Sequence, residues 1–143
     1  MRYLLDTNAC IAVLNKTSPQ LLQRIRRYAP ADIGMPATVA YELYYGAYKS
    51  CHARRNVDLL DRMKFEIVPF DAADARMAGA IRSELEAIGR PIGPYDVLIA
   101  GQARARNLVL VTANSREFSR VEGLDSEDWS IADADRRATG EER

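Results

Sequence analysis

Tyr3-Leu4-Leu5-Asp6-Thr7-Asn8 carries the chain from a short apolar run into an acid and two polar residues that suit a helix start. The apolar run is too short for a helix and reads as a buried strand. Asp6-Thr7-Asn8 reads as its exit into a helix through Ile11 and Leu14. The same unit recurs downstream. Ile33 to Pro36 reads as a strand that feeds a helix from Ala37 to Lys49, and Phe65 to Phe70 as a strand that feeds a helix from Ala72 to Ile88, capped by Asp71 and ended by Gly89. Leu108-Val109-Leu110-Val111-Thr112 is the clearest buried strand, and Trp129 to Ile131 is expected to form an edge strand. Further helices are expected after Ser18-Pro19, from Ala53 to Lys64, and from Gly93-Pro94 to about Arg106. Strands separated by helices predict an α/β fold with a central parallel sheet covered on both faces.

The chain of 143 residues suits one domain with one substantial core. That domain is expected to span 1–131, with a polar, disordered tail over 132–143. Twenty acidic and twenty basic residues balance, so no global field draws the protein to nucleic acid or membrane, and a polyanion site must be local. Cys10 and Cys51 match no metal or redox spacing and suit a reducing cytosol. The start lacks the pattern of a signal peptide, and no apolar run approaches the ~20 residues of a membrane helix. A cytoplasmic location is expected.

In parallel sheets of this kind, ligands bind beyond the carboxyl ends of the strands. Asp6 lies just past one strand end, and Thr112-Ala113-Asn114-Ser115-Arg116-Glu117 lies past another. Glu42 shares a helix face with Val39, Leu43 and Gly46, so it points with the apolar stripe. Asp96 falls in the first turn of its helix, followed by Ile99, Ala100 and Ala103 on the packed side. Each acid has a structural reading taken alone: Asp6 as a helix cap, Glu42 as a surface residue, Asp96 as a complement to the helix dipole. Thr7 or Asn8 could cap in place of Asp6 and leave it free. Three acids at strand ends or core-facing positions fit one shared site better than three separate accounts. Carboxylates a few ångströms apart raise one another's pKa unless a cation intervenes. Mg²⁺, with Mn²⁺ as substitute, suits oxygen ligands unaccompanied by His or Cys. Asp6, Glu42 and Asp96 are therefore the expected metal ligands. The only histidine, His52, lies beside Arg54 and Arg55, too few ligands for a zinc site and one short of a two-histidine ribonuclease.

Four stretches in order carry a family resemblance. They are Leu4-Leu5-Asp6-Thr7-Asn8, Tyr41-Glu42-Leu43-Tyr44-Tyr45-Gly46-Ala47, the run from Gly89 through Gly93-Pro94-Tyr95-Asp96 to Gly101, and Val111-Thr112-Ala113-Asn114-Ser115-Arg116-Glu117-Phe118. Together they resemble the PIN-domain ribonucleases, specifically the VapC-type toxins of toxin–antitoxin pairs. The resemblance implies a three-layer α/β/α fold and a Mg²⁺-dependent endoribonuclease with an acidic quartet. Asp6, Glu42 and Asp96 match family acids directly. Many relatives carry Asp where this chain has Asn114, so Glu117 is the alternative source of the fourth charge.

The implied chemistry is hydrolysis by an activated water, leaving 5′-phosphate and 3′-hydroxyl ends, with a structured RNA such as a tRNA as substrate. Arg116, beside the acidic rim, is the expected RNA contact. Tyr44, Tyr45 and Tyr48 follow Glu42 on the same helix and suit either base stacking or packing in a core or dimer interface. The resemblance also implies a homodimer and a VapB-type antitoxin reaching the active-site groove, with the helices near Ile11, Leu14, Leu21 and Leu22 contributing. Two other readings stay open: a catalytically silent RNA-binding or scaffold module, and a metal-dependent DNA nuclease or phosphatase.

Overall fold

Five short strands form one parallel sheet in the computed structural model, which describes residues 1–131. The strands are β1 (Tyr3–Leu5), β2 (Ile33–Pro36), β3 (Glu66–Val68), β4 (Val109–Val111) and β5 (Ser126–Glu127), in the spatial order β3-β2-β1-β4-β5. Helices flank the sheet in three layers: α1 (Thr7–Asn15), α2 (Pro19–Ile25), α3 (Ala37–Lys49), α4 (Ala53–Asp61), α5 (Ala72–Ala87), α6 (Pro94–Ala105) and α7 (Ser115–Phe118). The chain leaves β1 toward β2 on one side and returns to β4 on the other. That reversal makes a crevice at the carboxyl ends of β1 and β4, where such folds bind ligands. Leu5 pairs with Val111, and the Asp6 amide donates to the Val111 carbonyl at 3.1 Å. Asp6 and Thr112 are thereby brought to the mouth of the crevice.

Several helix boundaries have a local cause. Ser18 caps α2 by accepting from the Leu21 amide, and Pro19 occupies its first turn. Asp71 and Asp74 form a reciprocal capping box at the start of α5. Gly89, at φ +67°, leaves α5 through the left-handed region that favours glycine. Pro94 begins α6 and places Asp96 in its first turn.

The core gathers Leu4, Leu5, Ile33, Val39, Ile81, Ile99, Leu110, Phe118 and Trp129, each almost wholly buried. Helix α6 is held especially firmly. A Cβ on Gly101 would come within 2.6 Å of the Ala78 Cβ, so α5 and α6 meet nearly backbone to backbone. The buried Gln102 amide donates to the Val68 and Pro69 carbonyls, while Arg106 donates to Asp71, Asp74 and the Pro69 carbonyl. Asp96 therefore rides on a helix fixed along one face and at its far end.

Two expected elements differ in place. The edge strand is Ser126–Glu127 rather than Trp129–Ile131. Trp129 instead turns into the core, stacked on Tyr28 at 5.3 Å and edge-on to Tyr3 at 4.8 Å, where burying its large ring outweighs strand pairing. Helix α4 ends at Asp61, short of Lys64, because Arg62 already serves as its C-cap. The expected tail over 132–143 lies outside the described residues.

Candidate active site

Asp6 carries two duties. Its Oδ1 accepts from the Ala9 amide at 2.8 Å, so it is the N-cap of α1 after all, and neither Thr7 nor Asn8 takes that place. The Thr112 hydroxyl also hydrogen-bonds its carboxyl group, and Thr112 Oγ1 in turn accepts from the Asn114 amide at 2.9 Å. Only 5% exposed, Asp6 has its pKa pushed up by burial, with a further upward push from Asp128; the Thr112 and Ala9 hydrogen bonds act against both. A cap that needed only its geometry would not have to sit in so unfavourable a charge environment.

Glu42 is half-buried on α3, and its Oε1 accepts from the Thr7 hydroxyl at 3.2 Å. That contact draws it over the first turn of α1, next to Asp6. Asp96 is half-buried on α6, and its carboxyl is pushed from 3.8 to about 6. Burial is the largest cause, followed by the negative charges of Glu117, Asp6 and Glu42. Residues distant in sequence thus act on one carboxyl group, and all three of those charges are negative. The four acids share one electrostatic neighbourhood.

Asn114 and Glu117 border it differently. Glu117 Oε1 accepts from the Gly93 amide at 3.1 Å, and Oε2 accepts from the Asn114 side-chain amide. Glu117 therefore joins α7 to the start of α6 while contributing the fourth negative charge. Asn114 precedes α7, is exposed, and donates its side-chain amide to Glu117. Arg116 is exposed on the same short helix. Arg120, one turn on, donates to the Pro91 carbonyl at 3.1 Å and closes the same loop.

Two residues were missed in the sequence. Thr7 orients Glu42, and Asp128 acts on Asp6. The signal for Asp128 was available, since it follows β5 as Asp6 follows β1, but the displaced edge strand hid it. Asp128 Oδ1 accepts from the amide and hydroxyl of Ser130, which fixes it at the rim.

The expected set of three direct metal ligands is not preassembled: among the described residues no three His, Cys, Asp or Glu side chains already form a metal-holding group. The physical reason is visible in the hydrogen bonds, because oxygens of Asp6, Glu42 and Glu117 are turned toward Ala9, Thr7, Gly93 and Asn114. The donor chemistry nevertheless fits a hard divalent cation, which takes one or two carboxylates directly and keeps several waters. The charge that lifts Asp96 to about 6 is what such a cation would relieve.

Beside Glu42 runs a groove of about 420 Å³ between α1, α3 and α4, lined by Thr7, Ile11, Leu14, Leu43, Leu59 and Leu60 among others. Ile11 and Leu14 stand where the sequence placed them. Leu21 instead is buried in the core, and Leu22 does not line this groove.

Comparisons with known proteins identify the family and the fold. The PIN domain family matches residues 3–124. A tRNA(fMet)-specific endonuclease VapC from Shigella flexneri is 40% identical over 132 residues, which cover 91% of this chain and 99% of that relative. A DNA-bound VapBC structure from Salmonella typhimurium superposes with a TM-score of 0.86 at 37% identity, covering 90% of this chain and 98% of its counterpart. VapBC2 from Rickettsia felis, bound to a promoter DNA fragment, superposes with a TM-score of 0.84 at 37% identity, covering 90% and 99%. With the acid cluster at the carboxyl edge of the parallel sheet and matches spanning nearly every described residue, the chain belongs to the PIN domain family, as one of its VapC-type ribonucleases.

Proposed function

We propose that this protein is the toxin of a toxin–antitoxin pair, a divalent-metal-dependent endoribonuclease that hydrolyses phosphodiester bonds in RNA. The observation that carries the reading is the joint action of Glu117, Asp6 and Glu42 on Asp96 at the switch point of the sheet. A relative 40% identical is named for cutting tRNA(fMet), and tRNA is the substrate class proposed here. Cleavage of RNA in the cytoplasm follows from that substrate.

In this reading Asp6, Glu42 and Asp96 hold the metal, Mg²⁺ with Mn²⁺ as substitute, partly through water. When bound, the cation neutralises charge on the phosphoryl oxygens and lowers the pKa of a nearby water. Glu42 or Asp96 orients that water in line with the bond to be broken and takes its proton. The water oxygen bonds to phosphorus as the bond from phosphorus to the 3′ oxygen breaks, and the departing 3′ oxygen takes a proton from solvent to become a hydroxyl. The products carry 5′-phosphate and 3′-hydroxyl ends. Glu117 supplies the fourth charge and holds Gly93, so α6 keeps Asp96 in place; Asn114 holds Glu117. Arg116 contacts a phosphate from the rim.

A VapB-type antitoxin occupies the groove beside Glu42. Its lining by Ile11, Leu14, Leu59 and Leu60 suits an amphipathic segment laid across it. A homodimer of the toxin is part of the same reading. The test is cleavage of bulk tRNA by the purified protein with Mg²⁺, with and without a chelator. Specific fragments that vanish in the chelator are expected; intact tRNA at every metal concentration overturns the proposal.

A further inference from the structure

Asp6, Thr112 and Asp128 form one row across the end of the sheet. Leu5 pairs with Val111, and Val111 with Glu127, so the next residue of each strand stands level with the other two. The backbone keeps that order: the Asp6 amide donates to the Val111 carbonyl at 3.1 Å, and the Thr112 amide to the Glu127 carbonyl at 3.0 Å. Two strand spacings put the Asp128 backbone about 10 Å from that of Asp6, with Thr112 between them. Thr112 hydrogen-bonds the Asp6 carboxyl group, and Asp128 adds to the negative charge around it.

A charged Asp128 is costly in this place. It is only 9% exposed, and both of its hydrogen bonds, from the Ser130 amide and hydroxyl, fall on Oδ1. Among the described residues Oδ2 accepts no hydrogen bond, and no cation pairs with the carboxyl group. Arg24 pairs instead with Glu127 at 3.3 Å and lies over the Trp129 ring. The turn closed on Ser130 does not explain the acid, because Asn makes such turns without a charge. The position is nevertheless firmly set. Glu127 accepts from Arg24 and from the Trp129 indole, and Trp129 packs against Tyr3 and Tyr28. Beside Asp128 lies a recess of about 60 Å³, lined also by Asn8, Ala9, Thr112 and Ser130. It has room for water and the polar partners that a bound water needs. Ala9 and Thr112, on its wall, are the residues that hold the Asp6 carboxyl group.

We infer that Asp128 is a positioning residue of the metal centre: through water in this recess it steadies Asp6, and its charge tightens the hold on the divalent cation without touching the reacting atoms. The inference rests on the nuclease reading and adds a fifth acid to it. A carboxylate that ligates a metal depends on the groups that hold it in turn, and losing one of them costs about ten- to a hundredfold in metal affinity or activity. An unpaired, buried carboxylate beside a second one destabilises the metal-free protein, and a bound cation offsets that repulsion. A charge is therefore useful at 128 only when the site is loaded.

The test is Mn²⁺ binding, followed by electron paramagnetic resonance in Mg²⁺-free buffer at pH 7.5. Melts in a chelator and Mg²⁺-dependent cleavage of bulk tRNA are measured on the same preparations. Asp128→Asn should raise the Mn²⁺ dissociation constant about ten- to a hundredfold. The Mg²⁺ concentration that gives half-maximal cleavage should rise by the same factor, while KM for tRNA at saturating Mg²⁺ stays at the parental value. In the chelator Asp128→Asn should melt at or above the parent, because it keeps the turn and loses the unpaired charge. Asp128→Ala should bind Mn²⁺ as weakly and melt lower. If Asp128→Asn binds Mn²⁺ like the parent while the parent cuts tRNA, the inference falls and the nuclease reading stands. A lower melt of Asp128→Asn in the chelator would assign the carboxylate to holding the sheet edge and overturn the inference. If the parent neither binds Mn²⁺ nor cuts tRNA, the nuclease reading fails and takes the inference with it.

Discussion

Asp96→Asn should abolish cleavage and, in metal-free protein near pH 7.5, raise stability. The substitution keeps the size and most of the hydrogen-bonding capacity of the side chain but removes its charge. In the folded protein Asp96 is held at about 6 against an ordinary 3.8, mainly by burial and then by Glu117, Asp6 and Glu42. A shift of roughly two units at 1.36 kcal/mol each gives an upper figure of ~3 kcal/mol. Solvent reaches this half-buried group, and screening reduces the figure to ~1–2 kcal/mol. The sign follows from the direction. A carboxyl group with a raised folded pKa favours folding below pH 3.8, and that benefit is lost as pH rises through about 6. Above pH 6 the ionised Asp96 is therefore a burden that Asn does not carry. The helix dipole returns only ~0.3–1 kcal/mol to the ionised acid, so a net gain remains. Melts in a chelator at pH 7.5 should show Asp96→Asn a few degrees above the parent, at ~2–8 °C per kcal/mol, and the gap should close by pH 4. Cleavage of tRNA with Mg²⁺ should fall at least ~100-fold, equivalent to ~2.7 kcal/mol of transition-state stabilisation. A variant that cuts at the parental rate, or that melts lower than the parent at every pH, would refute the assignment of Asp96 to a shared charged site.

Other consequences can be checked on the same material. Excess EDTA should stop cleavage, Mg²⁺ or Mn²⁺ should restore it, and Ca²⁺ should bind without supporting turnover; full activity in EDTA would rule out the metal site. Asp6→Asn and Asp6→Ala should both lose cleavage, but only Asp6→Ala should lose the α1 cap, at a cost of ~1 kcal/mol in denaturant titrations. Equal stability of the two would remove the capping role. Asp74 is buried, which raises its pKa, but the hydrogen bonds and charge of Arg106 outweigh that and hold it below its ordinary value. Its contribution to stability is present above pH 3.8 and lost as pH falls through the lower folded value, so Asp74→Asn should flatten the acid limb of the stability curve below pH 4. Cys51 is exposed while Cys10 is buried, with its thiol pushed well above the usual range by burial and then by Asp6. One thiol should react with a disulfide reagent in native protein and two after denaturation.

The sequence was most legible where a boundary has a local chemical cause. Proline at 19 and 94 and the acid at 71 mark helix starts in any surroundings, and β1, β2 and α3 fall on the residues expected of them. The parallel sheet followed from the alternation of strands and helices. Features decided by tertiary packing were harder to read. Nothing in Ser126-Glu127 marks a strand; it pairs with Leu110 and Val111 because the chain must bring Trp129 under Tyr3 and Tyr28. Helix α7 is only one turn long, too short for a periodic signal, so Glu117 and Asn114 were expected at the rim without the helix that presents them. At the site, the identity of the acids was legible but not their hydrogen-bond partners. That Asp6 caps α1, that Thr7 steers Glu42, and that Glu117 holds Gly93 depend on distances no spacing rule encodes.

The central claim is that one acid cluster, acting together, hydrolyses RNA. Its most direct test is sequencing of RNA 5′ ends after brief expression of the parent and of Asp96→Asn, with 5′-phosphate ends captured directly and 5′-hydroxyl ends captured in parallel after kinase treatment. The account predicts new 5′-phosphate ends at discrete positions in tRNA with the parent and none with the variant. Identical ends from both proteins, or new ends bearing 5′-hydroxyls, would contradict it.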